Sequence, residues 1–308
     1  KARIKILVEA LGAEAFAREV DEDWAHLRNG ANTLTQDALD RVARYFVDPP
    51  LKGDTSSSAV VAIDPNFRAW KTRNVTAHHH ASYAAVTISL KREGIAPGDA
   101  TADEMDFIAD LADRYSFNEL RVSHHQNLIL PHVERAQLTA LFAELDTRGL
   151  ARANIDLASD IICCPGGDFC SLANAKSIPL SAAIAEKLAP IEDDLGPIAI
   201  NVSGCINECA HHHVGHIGVL GVEKAGEDWY QVLLGGRSTG AGRLAALIGK
   251  AVRQEEVPGI IDRLAQIGTP QALEIIVQAA VKFAGAKSAE AARKAIAGAN
   301  EKAVESLT

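Results

Sequence analysis

The stretch YAAVTISLKREGIAPGDATADEMDFIADLADRY, residues 83 to 115, decides how the chain folds. Apolar side chains alternate along YAAVTISL, the period of two that predicts a half-buried strand. The residues PGDATADEMDFIADLADRY predict a turn leading into a helix. Thr101 stands at its N-cap with Glu104 three residues on, so each side chain can satisfy a backbone N–H that the first turn leaves open. Downstream, NELRVSHHQNLILPHV (118 to 133) reads as two short strands around a polar SHHQN corner, and RAQLTALFAELDTRGL as a second helix ending at Gly149.

Strand, helix, strand, helix is the order of an α+β sandwich, here a ferredoxin-like half over 51 to 150. Upstream, KARIKILVEALGAEAFAREVDEDWAHL and the Thr-capped TLTQDALDRVARYFV read as helices closed by Pro49-Pro50, with KGDTSSS as a polar linker. The chain opens inside a helical pattern, so residues 1 to 50 are expected to be the helical end of a preceding half. Residues 151 to 240 predict a mixed α/β domain. It contains an amphipathic helix in SIPLSAAIAEKLAPI, a buried strand in PIAINVS, and two strands, HIGVLGVEK and DWYQVLLG, joined at Ala225-Gly226. From about residue 240 the composition turns Ala-rich, and 241 to 308, beginning with GRLAALIGKAV and VPGIIDRLAQI, are expected to form a helical tail.

With 308 residues and 47% hydrophobic side chains, the chain can bury a sizeable core in more than one domain. A net charge of -9 argues against broad binding to nucleic acid, which needs a basic face. No run approaches the roughly 20 apolar residues of a membrane span, and no signal peptide opens the chain, so a cytoplasmic protein is expected.

All five cysteines, at 163, 164, 170, 205 and 209, fall within 47 residues. Structural disulfides would be spread out and even in number, so a metal site is the better reading. The spacing Cys164-x5-Cys170 is too wide for a zinc knuckle pair, whereas four thiolates on wider loops suit an iron–sulfur cluster. Gly166, Gly167 and Gly204 let backbone approach such a cluster and aim N–H groups at sulfur.

CCPGGDFCSLA (163 to 173) followed by NVSGCINEC (201 to 209) resembles the cluster-binding signature of the sirohaem-containing sulfite and nitrite reductases. NFRAWKTRNV, YAAVTISLKREGIAPGDAT, ELRVSHHQNLILPHV, HIGVLGV and LLGGR are similar to successive landmarks of the C-terminal half of that family, covering about residues 65 to 240. The resemblance implies a 4Fe-4S cluster held by Cys164, Cys170, Cys205 and Cys209, with Cys209 also bridging to the iron of sirohaem. It implies the six-electron reduction of sulfite to sulfide, as in the assimilatory sulfite reductase haemoproteins, or of nitrite to ammonium. Electrons then pass singly through the shared Cys209 thiolate. Gln126, Ser203 and Asn207 match positions that contact the sirohaem carboxylates in that family, Ser203 standing where Thr is frequent, and Arg121 and Arg237 are expected as further anion contacts. The expected donor is ferredoxin or an NADPH-dependent flavoprotein.

Cys163 is left over and reads as a small buried hydrophobe. His212 and His216 have the i, i+4 spacing of zinc ligands on a helix, but Gly215, Gly218 and the alternation of HIGVLGV predict a loop entering a strand. The histidines are therefore expected in the wall of the site, and His78, His79 and His80 on the surface. Between 151 and 220, Arg152, Lys176 and Lys187 face eight acidic residues. In the resembled family the basic residues that grip the anion come mainly from the first of two similar halves, so a missing N-terminal half or partner chain is expected to supply them. The rival of another class is a non-catalytic four-cysteine zinc module that binds a partner.

Overall fold

The computed structural model describes residues 4–52 and 64–266, in two units that divide after Gly53. The predicted linker and the end of the predicted tail lie mostly outside the described residues.

The first unit is helical: α1 (Ile4–Leu11), α2 (Ala13–Leu27), α3 (Gln36–Ala43) and a 3-10 turn, Arg44–Phe46. The Thr35 hydroxyl accepts from the Ala38 N–H at 3.2 Å, the predicted N-cap of α3. None of its described side chains is buried within the unit, and Trp24, Tyr45 and Phe46 are exposed.

The second unit opens with α4 (Pro65–Asn74), which the sequence reading left unassigned although its signals are present. The Asp64 carboxylate accepts from the Asn66 N–H at 2.9 Å, and Pro65 occupies the first turn, where its missing N–H costs nothing. Then come β1 (Val75–Ala77), β2 (Tyr83–Ile88), α5 (Ala102–Tyr115), β3 (Arg121–Val122), β4 (Leu128–Glu134) and α6 (Leu138–Asp146). The strands form an antiparallel sheet in the order β1-β2-β4-β3. The fold of this part is the predicted ferredoxin-like sandwich. Helix residues Trp70, Ile108, Leu111, Leu141 and Leu145 bury themselves against Val86, Ile88, Leu128 and Leu130 of the sheet. The Thr101–Glu104 capping box that starts α5 is present in full.

A mixed six-stranded sheet follows. Its elements in chain order are β5 (Ile162–Cys163), α7 (Gly166–Phe169), α8 (Ile178–Leu188), α9 (Glu192–Leu195), β6 (Ile200–Ser203), β7 (Ile217–Lys224), β8 (Glu227–Leu234), β9 (Ala246–Leu247), β10 (Val252–Arg253) and α10 (Val257–Ala265). The order is β10-β8-β7-β6-β5, with β9 on the edge of β8, and β5, β6 and β7 run parallel. Ile200 and Val202 of β6 join the core made with Leu180, Ile184, Val257 and Ile261. Asn201 and Ser203 alternate with them in β6, and their polar groups bond the segment that carries Cys205 and Cys209.

One prediction fails. GRLAALIGKAV, expected as helix, is extended: Ala246 and Leu247 pair with Leu234 and Leu233, and the Ile248 N–H donates to the Val232 carbonyl at 3.1 Å. The periodic residues Leu244 and Leu247 are exposed, so a helix there would have no core to bury its stripe in, while the open edge of β8 offers backbone partners. The helix predicted in VPGIIDRLAQI does form, as α10.

Candidate metal-cluster site

The two cysteine pairs leave the sheet side by side. Parallel β5 and β6 are in register with Cys163 opposite Val202, so the segments that follow them, carrying Cys164 and Cys205, emerge from the same end of neighbouring strands. The Cys164 N–H donates to the Val202 carbonyl at 3.1 Å, and the Asn174 and Ala175 N–H groups both donate to the Gly204 carbonyl, at 2.8 and 3.0 Å. The Cys170 N–H donates to the Gly166 carbonyl at 2.9 Å, closing the single turn of α7. Backbone bonds therefore lace the two loops into one frame.

That frame suits thiolates. The Gly204 N–H donates to Cys164 Sγ at 3.1 Å, and Ser177 Oγ lies 3.4 Å from the same sulfur. Only glycine allows this approach, because a Cβ on residue 204 would stand 2.6 Å from the Ala175 carbonyl oxygen. N–H groups aimed at a ligand sulfur stabilise its negative charge. Cys164 and Cys205 are buried, Cys170 is half-buried and Cys209 is exposed. Among the described residues no three cysteine sulfurs come within 4.8 Å of one another.

Cys163 differs from its neighbour. It is buried, its thiol donates to the Cys164 carbonyl at 3.2 Å, and burial pushes its pKa up to about 12. Such a thiol is inert.

The other predicted site residues occupy distinct places. The Ser203 hydroxyl accepts from the Ala210 N–H at 3.3 Å, fixing the loop behind Cys209. Asn207 is half-buried between Cys205 and Cys209. The Gln126 amide bonds the backbone of Cys163 in both directions, at 2.7 and 2.9 Å. Arg121 pairs with Glu119 at 2.6 Å on the surface. Arg237 lines a cavity of about 230 Å³ with His125, Asp156, Asp160, His211 and His216.

The histidines belong to a loop, as predicted: β7 begins only at Ile217, and no helix holds His212 and His216 on one face. His216 Nδ1 accepts from the Ala199 N–H at 3.0 Å. Instead Glu208, His212 and His213 gather, with His213 Nδ1 2.6 Å from Glu208 Oε1. Burial opposes ionisation of Glu208, yet the His213 ring and backbone N–H outweigh it and hold the carboxyl below its ordinary range. His79 is exposed, but His78 is half-buried and bonds the buried His132 ring at 3.0 Å.

The sequence reading missed one group. Lys91 is almost fully buried, and its ammonium donates to the His125 and Ile161 carbonyls, at 2.9 and 2.7 Å, and to Asp160 Oδ1 at 3.4 Å. Asn127 donates to the same oxygen at 3.0 Å. The available signal was a lysine closing one apolar run, ISLK, and an aspartate opening another, DII.

Four cysteines on loops laced together at the end of a parallel strand pair make a candidate metal-cluster site in a protein of the α+β class. The chain belongs to the nitrite and sulfite reductase family: residues 82–148 match its ferredoxin-like half domain and residues 158–267 its 4Fe-4S domain, together more than half of the chain. It is 31% identical over 272 residues to the ferredoxin–nitrite reductase of Betula pendula, covering 86% of this chain and 41% of that protein. With sulfite reductase (ferredoxin) 2 of Mycolicibacterium paratuberculosis it shares 27% over 281 residues, covering 86% of this chain and 44% of the other. The solved structure of the Mycobacterium tuberculosis NirA protein superposes with a TM-score of 0.56 at 22% identity, over 87% of this chain and 45% of that one, a likeness of fold. The chain thus spans less than half the length of these relatives.

Proposed function

We propose that this chain is the cluster-binding half of a sulfite reductase that takes sulfite to sulfide, with nitrite to ammonium as the second reading. The observation that carries it is the Gly204 N–H aimed at Cys164 Sγ within a frame that joins both cysteine loops. Nitrite is kept because the B. pendula relative bears a nitrite reductase name.

Cys164, Cys170, Cys205 and Cys209 are proposed to hold a 4Fe-4S cluster, with Cys209, the exposed one, shared with a sirohaem. Held there, the two groups would supply the single-electron chemistry that reduction of an oxyanion needs. The chain's own residues then have separate tasks. Cys164 and Cys205 anchor the cluster from the buried side. Asn207 presents its amide to the sirohaem carboxylates, and Ser203 and Gln126 hold the loops. Phe169, Leu172 and Ile206, exposed beside the cysteines in sequence, give an apolar rim for a flat macrocycle. The acidic balance of residues 151 to 220 supports a reading in which cationic groups of an N-terminal half or a partner chain grip the sulfite. Ferredoxin, named for the relatives, is the proposed donor, with an NADPH-dependent flavoprotein as the alternative. Among the described residues no helix is long and apolar enough to cross a membrane, and a cytoplasmic setting is part of the proposal.

The test is steady-state turnover of the full-length protein with a chemical reductant and each anion in turn, beside iron, acid-labile sulfide and visible absorption. Strong absorption and a higher kcat/KM for sulfite are expected. A higher kcat/KM for nitrite selects the second reading, and a colourless protein with stoichiometric zinc overturns both.

A further inference from the structure

The candidate cluster loops are steadied from one side by the polar corner between β3 and β4, and we infer that Gln126 there is a positioning residue for the cluster. It acts through the backbone of Cys163, which it holds at the open edge of the sheet. This rests on the cluster-binding reading above and deepens it.

Among the described residues β5 is an edge strand, paired only with β6. The Cys164 N–H turns inward, to the Val202 carbonyl of β6. The N–H and C=O of Cys163 are taken by one side chain: Gln126 Nε2 donates to the Cys163 carbonyl at 2.7 Å, and Gln126 Oε1 accepts the Cys163 N–H at 2.9 Å. The amide thus does for one residue what a further strand would do for the edge. It fixes β5 one residue before the first cluster cysteine, on the side that β6 does not reach.

The corner is built to hold this amide in place. Gln126 has φ 59°, in the left-handed region that a long side chain rarely adopts, and such a conformation persists only where its surroundings impose it. The surroundings are on both sides of it. The His125 carbonyl accepts from Lys91, and Asn127 accepts the Leu90 N–H at 3.0 Å while donating to Asp160. Gly98 leaves the necessary room, since a Cβ there would come 2.9 Å from Gln126 Cβ.

His125, Asp156 and Asp160 also place ligand atoms within 4.8 Å of one another in this region. Asp160 is already occupied, by Lys91 and Asn127 on one oxygen and by the Asp156 N–H on the other, so the group reads as a fastening of the corner.

The test compares full-length holoprotein carrying Gln126→Asn with wild type. Asn tolerates the left-handed backbone but is one methylene too short to bridge Cys163. Acid-labile sulfide is followed during exposure to air, with the electron paramagnetic resonance of the reduced cluster as a second readout. Gln126→Asn is expected to lose its cluster about ten-fold faster and to show an altered cluster signal, the factor corresponding to about 1.4 kcal/mol for the lost pair of bonds. Gln126→Glu, which keeps only the acceptor for the Cys163 N–H, is expected to fall between, and serves if the Asn variant does not fold. Asn127→Ala, which loosens the corner that seats Gln126 but leaves the Gln126 amide able to reach Cys163, is expected to lower Tm and to accelerate cluster loss less than Gln126→Asn does. Wild-type rates and signals in both Gln126 variants, or equal acceleration in Asn127→Ala, overturn the inference. Wild-type protein lacking iron and sulfide overturns the cluster reading itself.

Discussion

Cys163 and Cys164 are adjacent in sequence, yet their surroundings give them opposite chemistry. Cys164 Sγ receives a backbone N–H, whereas Cys163 is pushed up to about 12 by burial and donates to a carbonyl. The thiolate is the ligand form, and burial disfavours it at Cys163. Cys163→Ala is expected to keep the full iron and sulfide content at a cost of about 1 kcal/mol for the small cavity. Cys205→Ala is expected to abolish the cluster, as read by loss of visible absorption and acid-labile sulfide. Iron loss in Cys163→Ala equal to that in Cys205→Ala would sink the assignment of Cys164 as the ligand. The clustering of the cysteines pointed to a metal site, and the resemblance of their two loops to the family signature implied the candidate ligand set. The pair of hydrogen bonds between Gln126 and Cys163 was not legible, because it depends on a left-handed backbone and on the space left by Gly98, neither of which has a periodic signal.

At the scale of elements, what the sequence made legible was local. Thr101 and Glu104 are three residues apart, so the capping box of α5 could be read directly. The helix expected at GRLAALIGKAV failed because its alternative partner, the edge of β8, is supplied by tertiary structure. Glu104 also binds Arg92, both of whose terminal nitrogens reach its carboxylate. Arg92, helped by the Thr101 N–H, holds the carboxyl at about 2 against an ordinary 4.5. A depressed carboxylate pKa stabilises the fold above the unfolded value and loses that effect as pH falls. Glu104→Gln retains an acceptor for the cap but loses the charge. It is expected to be less stable than wild type by about 1 kcal/mol above pH 5, a difference that shrinks between pH 4.5 and about 2 and vanishes below. Denaturant midpoints measured across that range check it. A difference independent of pH would show that the ion pair contributes nothing.

At the scale of the whole second unit, the ferredoxin-like part and the sheet that carries the cysteine loops are joined through buried charge. Lys91 follows β2 closely in the chain and Asp160 precedes β5, and their side chains are about 1% and 4% exposed. Burial lowers the pKa of Lys91, and the Asp160 carboxylate works against that shift. Such a pair adds little net stability over an apolar replacement, but removing one partner strands a charge in the interior. Lys91→Met is therefore expected to cost about 3–5 kcal/mol, a fall in Tm of about 6–20 °C for a unit of this size. Because Lys91 also holds the His125 and Ile161 carbonyls, the loss should reach both parts in a single cooperative transition. Adding Asp160→Asn to Lys91→Met removes the stranded charge while leaving an acceptor for Asn127. The double variant is expected to regain part of what the single variant loses, a non-additivity that marks two groups in direct contact. Calorimetry of the two single variants and the double variant decides it. Strict additivity, or separate transitions for the two parts in wild type, would show that the buried pair does not join them.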